Sequence, residues 1–288
     1  MSTRPELQTG LSPDEREALL AELSQSAVEK TGYPLSFAQQ RLWFLDQLMP
    51  QSSAYNLDMP LRLPIALDID ALERSLNEIV RRHEALRTIF RAVGGEPFQI
   101  VLPALRLQLN LVDLTTLPEP EREAETSRLA YEQGRRPFKL AEGPLLRTTL
   151  VRLSNADHVL LVTMHHIVAD GWSIELFFRE LWLLYIAFTD GQPSPLAELK
   201  IQYVDFAVWQ RKWLQGEVLT RQLAYWGNRL DGLPRLELPT DRIRPPVQSF
   251  QGAYHWFTIP PSLTEQLKAL SRREGATLFM TLLAAFQT

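Results

Sequence analysis

Apolar residues recur along the chain with two different periods, and the switches between them mark its elements. From Ile69 to Leu86 the pattern is helical: Leu72, Leu76, Ile79, Val80 and His83 fall on one face of a 3.6-residue period. Phe90 to Leu102 reads as a hairpin turning at Gly94-Gly95, and Arg106 to Leu114 alternates like a strand. Pro118 to Gln133 is acidic at its start and basic at its end, which suits a helix dipole. Pro144–Leu153 and His158–His166 form a second pair of strands around Ser154-Asn155-Ala156-Asp157. A long helix is expected from Trp172, and another from about Gln202 to Leu230. A proline-rich linker follows over Leu233–Ser249, then a short strand (Tyr254–Ile259) and helices over Ser262–Arg273 and from Thr277 onward. Near the start, Ser12-Pro13-Asp14-Glu15 opens a short helix with a narrow stripe of Leu19, Leu20 and Leu23. Hairpins mixed with helices imply an α/β chain of the α+β kind, a mixed sheet covered by helices, rather than a doubly wound parallel sheet.

Composition narrows the function. The 288 residues are 45% hydrophobic and 22% charged, ordinary for a globular chain. A net charge of −4 gives no electrostatic reason to expect nucleic acid or an anionic membrane as partner. The absence of Cys excludes disulfides, thiolate metal sites and a thiol nucleophile. It fits a reducing compartment, so a cytoplasmic location is expected. The N-terminus lacks the apolar core of a secretory signal. Arg179 and Glu180 interrupt the greasiest stretch, Ile174–Phe188, which reads as a buried helix rather than a membrane span. No GxGxxG or GxxxxGK[ST] loop is present, which disfavours nucleotide chemistry through those motifs.

The candidate chemistry lies in Met164-His165-His166-Ile167-Val168-Ala169-Asp170-Gly171-Trp172-Ser173. Side chains alternate along a strand, so His165 shares a face with Val159, Leu161 and Thr163, and His166 points to the other. Both faces are apolar, as on a central strand, and one histidine per face implies two different jobs. A histidine at the end of such a strand can serve as general base. Asp170 can fix the turn into the next helix by binding backbone N–H groups or an Arg, and Gly171 permits backbone angles denied to other residues. Two satisfied core histidines and a plain cap are the simpler alternative. The pair followed by Asp-Gly at this spacing favours a site. A metal is not expected, because the two histidines diverge and no HExxH is present. A Ser-His-Asp triad lacks its GxSxG elbow. His83 is expected in the core. Arg87 either points inward toward a carboxylate or is solvated. Phe206, Trp209 and Trp213 read as packing.

These residues resemble the condensation domains of nonribosomal peptide synthetases. His165-His166-Ile-Val-Ala-Asp170-Gly171 matches that family's His-His-x-x-x-Asp-Gly signature. Ser36–Leu45 looks like its first motif and Arg82–Phe90 like its second. Tyr203–Gln210 looks like its fourth, with Phe206 where Tyr is usual. The resemblance covers about residues 33 to 288. It implies a chloramphenicol acetyltransferase-like fold of two lobes with a tunnel between them. It also implies peptide-bond formation between substrates carried as phosphopantetheine thioesters on upstream and downstream carrier domains, beside an adenylation domain, with no cofactor bound by the chain itself. His166 would be the active-site residue, as base or positioner. His165, Asp170, Gly171 and Arg87 would support it, and Trp172 and Ser173 would face the tunnel. Asp170-Gly171-Trp172-Ser173 resembles peptide-bond-forming members more than epimerases, and the first His argues against heterocyclisation. Leu45–Leu48 and Ser53–Asn56 lean toward acceptors of L-configured donors. The implied organisation is a leader over 1–30, a first lobe over 31–198, a connecting helix and linker over 199–249, and the start of a second lobe over 250–288. On that resemblance the chain is shorter than a full domain and would be inactive alone. Its apolar end, Leu278–Thr288, would favour self-association. The rival expectations are a related acyltransferase using acyl-CoA and a non-catalytic carrier-docking lobe.

Overall fold

The computed structural model describes residues 32–243, 245, 246, 252, 255 and 257–288. The short helix expected near Ser12 lies outside them. The chain divides after Pro234 into two units.

The first unit carries two sheets. In the smaller, β1 (Gly32–Pro34) and β3 (Thr88–Val93) flank β4 (Glu96–Val101), all antiparallel, with the β3–β4 turn at Gly94 and Gly95 in positive φ. The larger has the order β2-β7-β6-β5: β2 (Asn56–Leu63), β7 (Asp157–His165), β6 (Leu146–Ser154) and β5 (Asn110–Asp113). Its β5–β6 pair is parallel and the other two are antiparallel, so the sheet is mixed, as the alternation of patterns implies.

Helices cover both faces of the larger sheet. Leu72, Leu76 and Ile79 of α2 (Ile69–Arg82) and Phe177, Leu181 and Leu184 of α4 (Gly171–Thr189) pack on Leu150, Leu160 and Met164. On the far face, Leu129 and Ala130 of α3 (Glu119–Arg135) cover Val151, Val159 and Leu161. Strand β7 is thus central, and every residue from His158 to His165 is buried. Helix α1 (Phe37–Leu48) starts from a capping box: Ser36 Oγ accepts from Gln39 N at 3.1 Å, while Ser36 N donates to Gln39 Oε1 at 2.9 Å.

Two expected elements differ. The strand over Arg106–Leu114 shrinks to Asn110–Asp113, because Leu107 N and Leu109 N donate instead to Asn77 and Glu73 of α2. The helix over Gln202–Leu230 is two helices, α5 (Tyr203–Trp213) and α6 (Gly216–Leu230), broken at Leu214-Gln215 where Gly216 adopts φ +56°. Leu183 and Ile186 of α4 are exposed, so that helix is buried on fewer sides than its composition suggests.

The second unit contains α7 (Pro261–Arg273) and α8 (Leu278–Gln287), close to the expected bounds. Ser271 of α7 hydrogen-bonds Thr281 of α8 at 2.7 Å. The strand expected over Tyr254–Ile259 falls partly outside the described residues, and its described part is not a strand. No described helix is long and apolar enough to cross a membrane.

Candidate active site

The first, second and fourth motifs are joined in the first unit by specific hydrogen bonds. Ser36 Oγ contacts Tyr203 Oη at 3.0 Å, and Phe37 N donates to Gln210 Oε1 at 3.0 Å. Gln202 Nε2 donates to Arg82 O at 2.8 Å, while its Oε1 accepts from Glu84 N at 3.1 Å. The start of α5 is therefore tied to the first and second motifs, and Leu42, Ala85 and Tyr203, one from each, line a cavity together with His166.

The adjacent histidines occupy opposite environments. Strand β7 ends at His165, whose ring is 3% exposed and packs edge-on to Phe138 at 6.1 Å and tilted to Tyr55 at 6.5 Å. Its Nδ1 accepts from Ile167 N at 3.1 Å, so the neutral ring carries its proton on Nε2. Burial, His166 and Arg147 together push its pKa down to about 4. His166 is exposed and starts the turn after the strand. Its backbone N donates to Tyr55 O at 2.8 Å, which fixes the main chain. Its Nδ1 lies 2.8 Å from Ala169 O. A carbonyl can only accept, so Nδ1 holds the proton and the neutral ring presents a bare lone pair at Nε2.

Asp170 is the N-cap of α4. Its Oδ1 accepts from Ser173 N at 2.9 Å and from Ser173 Oγ at 2.7 Å. Those bonds outweigh burial and hold the carboxyl below its ordinary range. Beside His166 is a cavity of about 160 Å³ walled by Gln39, Arg41, Ala85, Asp170, Ser173 and Tyr203, among others.

The other candidates fall elsewhere. Arg87 bonds Glu84 Oε1 at 3.1 Å and the carbonyl of Leu102, and it does not line the cavity beside His166. Arg41, from the first motif, does. Gly171 is not in the left-handed region, and an added Cβ would meet nothing within 4 Å, so neither backbone strain nor contact within the described residues demands glycine there. Trp172 is 81% exposed and outside the cavity wall, whereas Ser173 is in it. His83 is not a core residue: its Nε2 lies 2.8 Å from Oε2 of Glu180, which is itself buried against Arg82 at 3.3 Å. Burial alone would raise the Glu180 carboxyl, but hydrogen bonds from Arg82 and His83 hold it below its ordinary value. The Phe206–Trp209–Trp213 row is an exposed ladder, its two indoles stacked at 5.4 Å, rather than buried packing. Arg41, Ala85 and Tyr203 carry no chemical signature of their own in the sequence, only their places in the motifs. Glu180 had one signal, a charge beside Arg179 interrupting a largely apolar run.

A family model for the condensation domain matches residues 29–288. The chain belongs to the condensation-domain family. It is 54% identical over 256 residues to one of the linear gramicidin synthase proteins of Brevibacillus parabrevis, covering 88% of this chain and 3% of that protein. With a second protein of the same synthase the identity is 51% over 278 residues, covering 96% and 5%. Phosphinothricin tripeptide synthetase PhsC of Streptomyces viridochromogenes is 46% identical, over 88% of this chain and 23% of that protein. The chain thus spans a small part of the curated relatives it matches. Among solved structures, the X-domain from teicoplanin biosynthesis superposes with a TM-score of 0.71 at 32% identity, covering 85% of this chain and 53% of that one. The SgcC5 protein of Streptomyces globisporus gives 0.68 at 30%, covering 88% and 58%. The fold is the chloramphenicol acetyltransferase-like fold that the motifs imply.

Proposed function

We propose that this condensation-domain chain forms an amide bond, with His166 at the reacting centre. The amine of a downstream aminoacyl thioester attacks the carbonyl of an upstream acyl thioester. A C–N bond forms, the C–S bond breaks, and the upstream thiolate leaves. His166 Nε2 accepts a hydrogen bond or the proton from the attacking amine and can return that proton to the departing sulfur. Holding the amine in line supplies much of the acceleration even where full proton transfer is late. The observation that carries this reading is the 2.8 Å contact from His166 Nδ1 to Ala169 O, which fixes the tautomer and aims the lone pair of Nε2. Asp170 holds the turn that carries Ala169 and starts α4. His165, kept neutral by burial, adds no charge beside the site.

On this reading the substrates arrive as phosphopantetheine thioesters on upstream and downstream carrier domains. An adenylation domain loads the acceptor carrier, the chain itself binds no cofactor, and the assembly works in the cytoplasm. What supports those partners is the multidomain character of the synthetases that the chain resembles. The test is single-turnover formation of dipeptidyl thioester by the synthetase carrying this domain, with both carriers loaded. His166→Ala is expected to lower the rate at least about 100-fold while leaving folding intact. Near-unchanged turnover removes His166 from the reaction. Turnover from acyl-CoA in place of the acyl carrier would instead place the chain with soluble-donor acyltransferases.

A further inference from the structure

Tyr203 and His166 line the same cavity, and the hydrogen bonds around Tyr203 leave its phenol proton uncommitted. Ser36 Oγ accepts from Gln39 N at 3.1 Å, and its one other partner among the described residues is Tyr203 Oη at 3.0 Å. Ser36 is 0% exposed, so its own hydroxyl proton has no water to go to. A buried O–H left without an acceptor is costly, so Ser36 donates to Tyr203 Oη. The O–H of Tyr203 is then free to donate elsewhere. The side it faces follows from the walls. The cavity at His166 includes Ala38 and Gln39, in the first turn of α1 just past Ser36. A neighbouring apolar cavity, which Tyr203 also lines, includes no residue of α1. The Oη end of the ring, tied to Ser36, therefore lies on the His166 side.

Tyr203 is also held in place. Gln202 before it is bonded to Arg82 O, Glu84 N and Asp205, and its ring rests on Phe206 at 5.5 Å. Other polar groups on the cavity wall are committed within the protein: Gln39 Nε2 donates to Gln99 Oε1, and Ser173 Oγ donates to Asp170. Arg41 makes no hydrogen bond or ion pair among the described residues, so nothing there fixes its cation in one position. We propose that Tyr203 is a second catalytic residue, whose O–H donates to the carbonyl oxygen attacked beside His166. The proposal rests on the amide-forming reading for its reaction, and it adds the group that meets the charge developing on oxygen. As the amine attacks, the π pair of the carbonyl moves onto oxygen, and Tyr203 hydrogen-bonds that oxyanion. When the pair returns, the C=O bond re-forms and the C–S bond breaks. Tyr203 keeps its proton throughout, while His166 handles the proton of the amine. A donor anchored in advance needs no reorganisation as the charge appears, which is where such groups gain most of their effect.

The test is single-turnover amide formation by the synthetase carrying this domain, with both carriers loaded, in Tyr203→Phe, Ser36→Ala and His166→Ala beside the wild type. Tyr203→Phe is expected to lower the rate constant about 100-fold, the usual cost of one lost oxyanion donor. The concentration of acceptor carrier that half-saturates the reaction should stay the same, as should the melting temperature. Ser36→Ala removes the cap of α1 but keeps the phenol, so it should show the reverse: the larger fall in melting temperature and the smaller fall in rate. If Tyr203→Phe does not fold, 3-fluorotyrosine at position 203 keeps the bond to Ser36 and makes the O–H a stronger donor. That replacement should raise the rate about twofold, which a merely structural tyrosine would not do. An unchanged rate in either Tyr203 variant, or a rate loss that Ser36→Ala matches, overturns the proposal. His166→Ala keeps the two readings apart. A slow His166→Ala beside a fast Tyr203→Phe removes Tyr203 alone, whereas unchanged turnover in His166→Ala removes the histidine reading whatever Tyr203 does.

Discussion

His165 and His166 are neighbours in sequence with opposite tautomers, and the difference comes from which backbone group each Nδ1 meets. Nδ1 of His165 meets an N–H and is bare, while that of His166 meets a carbonyl and is protonated. Strand alternation in the sequence separates the two rings and points to two jobs. The choice between base and bystander is not legible there, because it depends on Ala169 O and Ile167 N, whose directions are set by the turn after β7. His165 has a consequence for stability. Its pKa is near 4 in the folded chain against 6.5 for an unperturbed ring, so the unfolded state binds the proton more tightly. The contribution is fully present above about pH 6.5, is lost as pH falls toward 4, and amounts to roughly 3 kcal/mol over that window. Chemical denaturation at pH 7.5 and 4.5 should therefore show a smaller pH loss in His165→Gln than in the wild type. An equal loss in both would mean that the ring titrates normally.

At the scale of elements, helix α4 connects sequence to site. Asp170 caps it through Ser173 N and Oγ, and the same residues wall the cavity at His166. Replacing Asp170 with Ala should cost about 1 kcal/mol, the usual value of a lost N-cap. Asp170→Asn, which keeps an accepting oxygen, should recover most of it in thermal unfolding. Should the two variants melt alike, the cap is not what Asp170 contributes. The long amphipathic helix α2 and the two hairpins were readable because one face of each is buried, which imposes a period on the sequence. Where local pattern competed with a partner elsewhere, it lost. Arg106–Leu109 alternates like a strand, but its amides are taken by Asn77 and Glu73 of α2. The break between α5 and α6 turns on one glycine in a stretch that otherwise reads as helix.

On the scale of the whole first unit, a buried ionic cluster joins α2 and α4 to the segment after α4. Arg82 and Glu180 are both almost fully buried, and Arg82 also donates to Ala197 O at 2.8 Å. Removing one partner strands the other. Glu180→Ala is expected to destabilise by about 3–5 kcal/mol, whereas a matched apolar pair, Arg82→Met with Glu180→Leu, should recover most of that loss. Urea unfolding of the two variants checks it, and equal stability would show that the charges are solvated. Nothing in the sequence pairs these two: Glu180 interrupts an apolar stretch beside Arg179, Arg82 sits among Arg81, His83 and Glu84, and only the fold brings them together. The motifs, by contrast, are local words that mark the family directly. All of the proposed chemistry converges on the bare Nε2 of His166. The nitrogen chemical shifts of that ring at neutral pH test it most directly. They should report a protonated Nδ1 and an unprotonated Nε2, and the opposite tautomer would contradict the account.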